Sequence, residues 1–192
     1  MNILKAVSII FFVIAIGLAF KLYKSIEGPI LERKRVKAEE IAKISKLKIL
    51  REVEKAYLGV NGKYCGNWDT LVNFVKFDTI YNIERSEEII LRQYGGDSVI
   101  VHVDTVGSIS VFDKLFPKEE FPNLNPDRLP FIPGTENKFI IFSDKIEKNN
   151  LLVDVFEIKD KSPISHMSEL RSKGEPLRVG SRVEVTTTGN WE

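Results

Sequence analysis

The stretch KAYLGVNGKYCGNW, residues 55–68, decides how this chain folds, because a long helical pattern stops inside it. Gly59, Gly62 and Gly66 give it a density of turn-forming residues that ends a helix and reverses the chain. The only cysteine, Cys65, lies among them. Because a reactive thiolate needs a nearby histidine or cation, and no such motif surrounds it, we expect a small buried apolar residue. An intermolecular disulfide in an oxidising compartment is the alternative.

The segment before this stretch has the pattern of an amphipathic helix, with apolar residues mostly three or four positions apart. These residues are Val36, Ile41, Ile44, Leu47, Leu50, Val53 and Tyr57. The first half of the segment is polar nearly all round, whereas the second half has a wider apolar stripe. We therefore predict a stalk helix over residues 28–59 whose second half packs on a head formed by residues 60–192.

The first residues of the chain are apolar and carry no charge between Lys5 and Lys21. A membrane helix needs about 20 such residues, and lysines at its ends can extend toward the headgroups. We predict a transmembrane anchor over residues 1–27, with membrane contacts from Lys5, Phe11, Phe12, Phe20, Lys21 and Tyr23. The alternative is a cleaved signal peptide that ends near residues 17–19.

Gly28 and Pro29 follow the apolar segment. Glycine favours a helix end and proline favours the first turn of a new helix, so the pair predicts a kinked hinge between anchor and stalk.

Charge is spread unevenly along the chain. The 192 residues have a formal net charge of +1, yet residues 21–60 carry eleven Lys or Arg against six acidic residues. The positive-inside tendency would place the head in the cytoplasm. The nearly balanced total gives no reason to expect nucleic acid as a partner.

The end of the stalk follows a family pattern, A-x-x-x-Y-x-x-x-x-G-x-Y-P, with Tyr57, Gly62 and Tyr64 in place, Val53 for the alanine and Cys65 for the proline. With the apolar helix before it, this resembles the stalk of bacterial type IV pilin-like proteins, especially pseudopilins. The resemblance covers residues 1–75 and does not include a prepilin peptidase site.

The resemblance implies a membrane-anchored, non-catalytic structural or assembly component of a bacterial envelope or secretion apparatus. Its partners would be membrane lipid and other envelope proteins, with self-association through the stalk helix. It also favours the bacterial inner membrane with a periplasmic head, and the cytoplasmic head stays as the alternative.

The head is predicted to be α+β. A short helix that begins near Asn67 or Asp69 is followed by segments in which apolar and polar residues alternate. The predicted strands are residues 88–94, 98–104, 108–113, 138–144, 151–158 and 181–187, with hairpin turns at 94–99, 104–108 and 145–150. Short turns imply an antiparallel sheet, and the stalk helix is its natural cover.

Residues 116–134 hold five of the eight prolines and predict an irregular loop. Phe116, Phe121 and Phe131 either pin this loop over the sheet or, with Trp191, form a surface for a partner. The second interpretation supports another hypothesis, a membrane-tethered ligand- or glycan-binding module.

Catalytic motifs are not evident. VDTVGS and GGDSV each share letters with a protease or esterase motif, but both are better explained as turns. No Cys or His residues have zinc-site spacing, and no glycine-rich phosphate loop precedes a helix. We expect no enzymatic activity, no cofactor and no metal; a hydrolase that uses His102 or His166 is the third hypothesis.

Overall fold

A computed structural model describes residues 3–90, 98–170 and 174–192, and it has the predicted α+β class. The elements in chain order are α1 (Ile3–Asn61), α2 (Trp68–Phe77), β1 (Thr79–Ile90), β2 (Ser98–Ser110), α3 (Val111–Leu115), a 3-10 turn (Pro126–Arg128), β3 (Ile140–Lys148), β4 (Leu151–Pro163) and β5 (Pro176–Gly180).

Helix α1 contains both the predicted anchor and the predicted stalk in one helix of 59 residues. It passes through Gly28 and Pro29 without interruption, so the predicted helix end is not seen and a kink is not confirmed. Proline removes one backbone donor and crowds the preceding turn, at a cost of about 3 kcal/mol. That cost is local, and regular helix on both sides continues past it.

The turn after α1 forms where the opening stretch predicts it. Gly62 has a φ of 69°, which suits glycine, and its N–H donates to the carbonyl of Leu58 at 2.8 Å. Asn67 then caps α2, because its side-chain oxygen accepts hydrogen bonds from the N–H groups of Asp69 and Thr70 at 2.8 and 3.2 Å. The helix, turn and second helix are thus confirmed.

The strands form two antiparallel sheets, β1-β2 and β3-β4-β5. Residues 104–108, predicted as a turn, lie inside β2 instead. There Asn82 pairs with Gly107 and Ile83 pairs with Thr105, which leaves Val106 as a bulge. The predicted strand 108–113 is also wrong beyond Ser110, because α3 begins at Val111.

The hairpin predicted at 145–150 is confirmed, but its turn is only Asn149 and Asn150, because residues 145–148 lie inside β3. Asn149 and Asn150 have φ values of 53° and 62°, and Lys148 pairs with Leu151 across them. Two residues with positive φ fit the twist of a tight hairpin. Of the predicted turn at 94–99, residues 94–97 lie outside the described residues, as does most of the predicted strand 88–94.

The predicted strand 181–187 is wrong, and β5 at 176–180 takes its place in the sheet. Alternation misled the prediction, because Val183, one of the alternating apolar residues, is 81% exposed and not buried on a sheet face. Short strands next to a proline give little pattern to detect.

The core lies where the second half of α1 meets α2 and the three-stranded sheet. Leu47, Leu50 and Val53 are fully buried there, together with Phe139 and Phe156. The predicted packing of the stalk's second half on the head is therefore confirmed.

The β1-β2 sheet is largely outside this core. Tyr81, Val99, Val101, Val103 and Val106 are each at least half exposed. We call this sheet the β1-β2 arm.

Candidate functional site

The first part of α1 stands free of the head. Every described side chain from residue 7 to residue 31 is exposed, and this part contains a segment long and apolar enough to cross a membrane. Phe11, Phe12, Phe20 and Tyr23 are 68, 67, 67 and 64% exposed, and Lys21 is exposed beside them. The side chain of Lys5 lies outside the described residues.

The aromatic residues of the proline-rich loop divide into two groups. Phe116 is 3% exposed and its ring meets that of Phe121 edge-on at 5.5 Å, so both belong to the core in this structure. Phe131 is half-buried, with the guanidinium of Arg128 at 5.6 Å and the ammonium of Lys138 at 5.4 Å from its ring centre. Phe121 is half-buried as well, so Phe116 is the buried aromatic residue of this loop and Phe121 and Phe131 are the partly exposed ones.

Trp191 packs against the core from the C-terminal tail. The tail contacts both the head and α1. The side-chain amide of Asn190 donates to the carbonyl of Pro176 at 3.0 Å, and Glu192 forms an ion pair with Arg51 of α1 at 2.7 Å. These contacts pin the tail to the head and stalk.

A buried carboxyl group joins α1 to the turn that follows it. Glu54 is fully buried, and its Oε2 accepts a hydrogen bond from the backbone N–H of Cys65 at 2.9 Å. Burial raises the pKa of Glu54 to about 8, although the hydrogen bond from Cys65 acts in the opposite direction. Its Oε1 is buried with no hydrogen-bond partner among the described residues.

Sequence reasoning missed Glu54, although a signal was present. Glu54 follows Leu50 by four positions and precedes Tyr57 by three, so it lies on the apolar stripe of α1. An acidic residue on such a stripe is a candidate for a buried titratable group.

Cys65 is 4% exposed, and its Sγ donates to the carbonyl of Asn67 at 3.2 Å. Burial raises the pKa of this thiol, which disfavours the thiolate that nucleophilic chemistry requires. The expectation of a small buried residue is thus confirmed.

The two histidines lie on different elements. His102 is on β2 of the arm and His166 is in the segment after β4, and both are exposed. Within the described part of the chain, no three His, Cys, Asp or Glu side chains form a group that could hold a metal ion.

An apolar cavity of about 420 Å³ lies between α1 and the segment 167–170. Such a volume is within the range of about 300–1,000 Å³ that is typical of ligand sites. Its walls include Ile30, Arg33, Lys34, Ile41, Ile44 and Leu170. We call it the stalk cavity; sequence reasoning missed it because its two walls are far apart in the chain.

A second, smaller hollow lies next to the stalk cavity on the side of the membrane segment. It has a volume of about 310 Å³ and is lined by Tyr23, Ile26 and Leu31 among others. It shares Ile30 and Lys34 with the stalk cavity. The two hollows therefore adjoin along α1, and the lining of the second is apolar apart from Glu27 and Lys34.

Comparison with known proteins identifies no relative, because no protein family, curated protein or solved structure matches the chain. The fold places the chain among α+β proteins with a long apolar N-terminal helix before a β-sheet head, a loosely pilin-like shape.

Proposed function

We propose that this chain is a membrane-anchored, non-catalytic structural or assembly component of a bacterial envelope or secretion apparatus. The observation that carries the proposal is the difference in exposure between the two parts of α1. Its residues 7–31 are exposed and apolar enough to span a bilayer, whereas its later residues Leu47, Leu50 and Val53 are buried in the head.

Burial energetics support a membrane around the first part of α1. Removing apolar surface from water contributes about 25 cal/mol per Å². Three rings in this part, Phe11, Phe12 and Phe20, are each about two-thirds exposed. They obtain this favourable free energy only when lipid or another protein covers them. No described part of the head covers them, so the bilayer is the natural environment.

The β1-β2 arm supports a role in assembly. Exposed apolar strands with free edges are typical of surfaces that pair with other chains. Val99, Val101 and Val103 alternate along β2 and lie on one face of the arm. In this proposal the arm contacts another envelope protein, and the stalk helix supports self-association.

The proposal assigns the head to the periplasmic side of the inner membrane. Protease treatment of spheroplasts tests this when a C-terminal tag is followed. Loss of the tag in intact spheroplasts is expected, and protection until the membrane is opened would place the head in the cytoplasm. Cross-linking in cells, followed by purification of the chain, should yield a discrete complex with other envelope proteins.

A membrane-tethered ligand- or glycan-binding module is the second candidate. A cavity of about 510 Å³ in the proline-rich loop favours it, because Phe131, Arg128 and Lys46 line that cavity together. An aromatic ring beside cations suits a polar ring-shaped ligand. Saturable glycan binding that Phe131→Ala abolishes, and that Phe77→Ala on the exposed end of α2 leaves intact, would favour this candidate.

A further inference from the structure

We propose that the stalk cavity holds an acyl chain of a membrane glycerophospholipid, whose phosphate group contacts Arg33 and Lys34. This inference goes beyond the proposed function. It requires α1 to lie in a membrane, but it does not depend on a role in assembly or secretion.

The shape and chemistry of the stalk cavity suit a hydrocarbon chain. Ile41 is 56% exposed and Ile30 is 48% exposed, although both line the cavity. Such surfaces are unfavourable in water and favour an apolar occupant. The α1 wall runs from Ile30 to Ile44, or about 21 Å at 1.5 Å per residue. One acyl chain crosses about half of a 30 Å hydrocarbon core, so the wall is long enough.

The position of the cavity indicates the membrane as the source of that chain. Tyr23, Ile26 and Leu31 line the neighbouring hollow, which lies on the side of the membrane segment and shares Ile30 with the stalk cavity. The six residues from Lys24 to Ile30 span about 9 Å of helix, which places the cavity entrance at the headgroup layer. A lipid of the surrounding bilayer therefore lies next to the cavity entrance, with only Glu27 and Lys34 as charged residues in the lining of the neighbouring hollow.

Cations at the entrance supply a partner for the phosphate. Arg33 and Lys34 line the cavity, and within the described residues neither makes an ion pair. Lys37, the next cation along the wall, is already paired with Glu169 at 3.2 Å. A guanidinium and an ammonium group without protein partners are well suited to a phosphate oxygen.

Glu40 narrows the choice of headgroup. It lines the cavity, and its Oε1 is buried without a hydrogen-bond partner among the described side chains and backbone groups. A buried carboxylate oxygen favours a ligand with a donor. The hydroxyl groups of phosphatidylglycerol and the ammonium group of phosphatidylethanolamine donate hydrogen bonds, whereas the choline group has no N–H or O–H. We therefore expect the first two lipids to bind in preference to phosphatidylcholine.

The test uses the full chain, purified from membranes in detergent and exchanged into nanodiscs with equal parts of the three lipids. After extraction into detergent, native mass spectrometry counts the phospholipids that remain on each chain. We expect one retained phosphatidylglycerol or phosphatidylethanolamine molecule on the wild-type chain. Ile41→Trp fills the cavity from an exposed position and should lower retention about tenfold, because it displaces several buried methylene groups.

Ala38→Trp is the matched control, since Ala38 is exposed on α1 and does not line the cavity; it should retain lipid as the wild type does. Arg33→Ser with Lys34→Ser keeps the apolar walls and should also lose lipid, so the proposal stays testable if Ile41→Trp does not fold. Equal retention by the wild type and all three variants would overturn the proposal, as would a wild-type chain that retains no phospholipid. Recovery of Ile41→Trp in the membrane fraction separates loss of the cavity from loss of the anchor.

Discussion

Glu54 on α1 accepts a hydrogen bond from the backbone N–H of Cys65, 2.9 Å away and eleven residues further along the chain. This contact fixes the turn after α1 against the helix that precedes it. Because Glu54 is fully buried and its pKa is raised to about 8, the folded protein favours the protonated carboxyl group at neutral pH.

The stability of the fold should therefore depend on pH through Glu54. The pKa rises from 4.5 in the unfolded chain to about 8 in the folded chain. The unfolded chain loses its proton first, so this contribution is complete below pH 4.5 and is lost as the pH rises through about 8. The free energy of unfolding should fall by a few kcal/mol between pH 5 and pH 8.5.

Glu54→Gln removes the titration and should flatten this pH dependence, so the variant should melt above the wild type at pH 8.5. Thermal unfolding followed by circular dichroism at several pH values measures the melting temperatures of the variant and the wild type. Glu184→Gln, at an exposed site, is the control and should behave as the wild type does. A lower melting temperature of Glu54→Gln at pH 8.5 would contradict the assignment.

Gly62→Ala should destabilise the protein by about 1–2 kcal/mol, because φ at this residue is 69° and a side chain is strained there. Apart from its chain neighbours, no atom of the described residues lies within 4 Å of the added Cβ, so strain in the backbone is the cause. Gly59→Ala is the matched control inside α1. It should stabilise the protein by about 0.5–1 kcal/mol, since alanine is the better helix former. Urea unfolding of both variants measures the difference, and a change of the same sign in both would count against this explanation.

Lys43→Ala should cost about 3 kcal/mol, because it leaves a buried carboxylate without its partner. Asp160 is 2% exposed and its Oδ2 lies 2.6 Å from the ammonium group of Lys43. The double variant Lys43→Ala with Asp160→Ala should recover part of the loss. A double-mutant cycle in urea measures the coupling, and additive losses would show that the pair contributes nothing.

Cys65 should react slowly with a maleimide reagent in the folded protein and rapidly in urea, because it is 4% exposed. Mass spectrometry of the labelled chain follows the reaction, and Cys65→Ser serves as the blank. We expect the Cys65→Ser variant to fold and to keep its function. Rapid labelling of the native chain, or a disulfide-linked dimer, would contradict the buried position.

Much of the helical part could be predicted from the sequence. The spacing of Leu47, Leu50 and Val53 identifies the face that packs on the head, and Gly62 identifies the end of the helix. Both depend on local physics, namely periodic burial and the conformational freedom of glycine.

Whether the helix ends at Gly28 and Pro29 could not be predicted from these two residues alone. The free-energy cost of a proline inside a helix is local, whereas helix formation is cooperative over many neighbouring residues. The strands of the head were harder to predict than the helices. Alternation marks segments 151–158 and 98–104 well, but it cannot show that Val106 is a bulge or that Val183 is exposed outside any strand.

The candidate site was the least predictable part, because its walls come together only in the fold. The stalk cavity joins Ile30 and Ile44 of α1 to Leu170, more than 120 residues away. For the proline-rich loop the sequence left two interpretations open, and the buried Phe116 fits the one in which the ring pins the loop. Composition alone does not tell an anchoring ring from an exposed one.

The unbroken course of α1 has a mechanical consequence. The membrane segment and the packed residues Leu47 to Val53 belong to one helix, with Gly28 and Pro29 inside it. A neighbour that tilts or rotates the membrane segment would therefore act on the head through helical backbone, with no loop between the two.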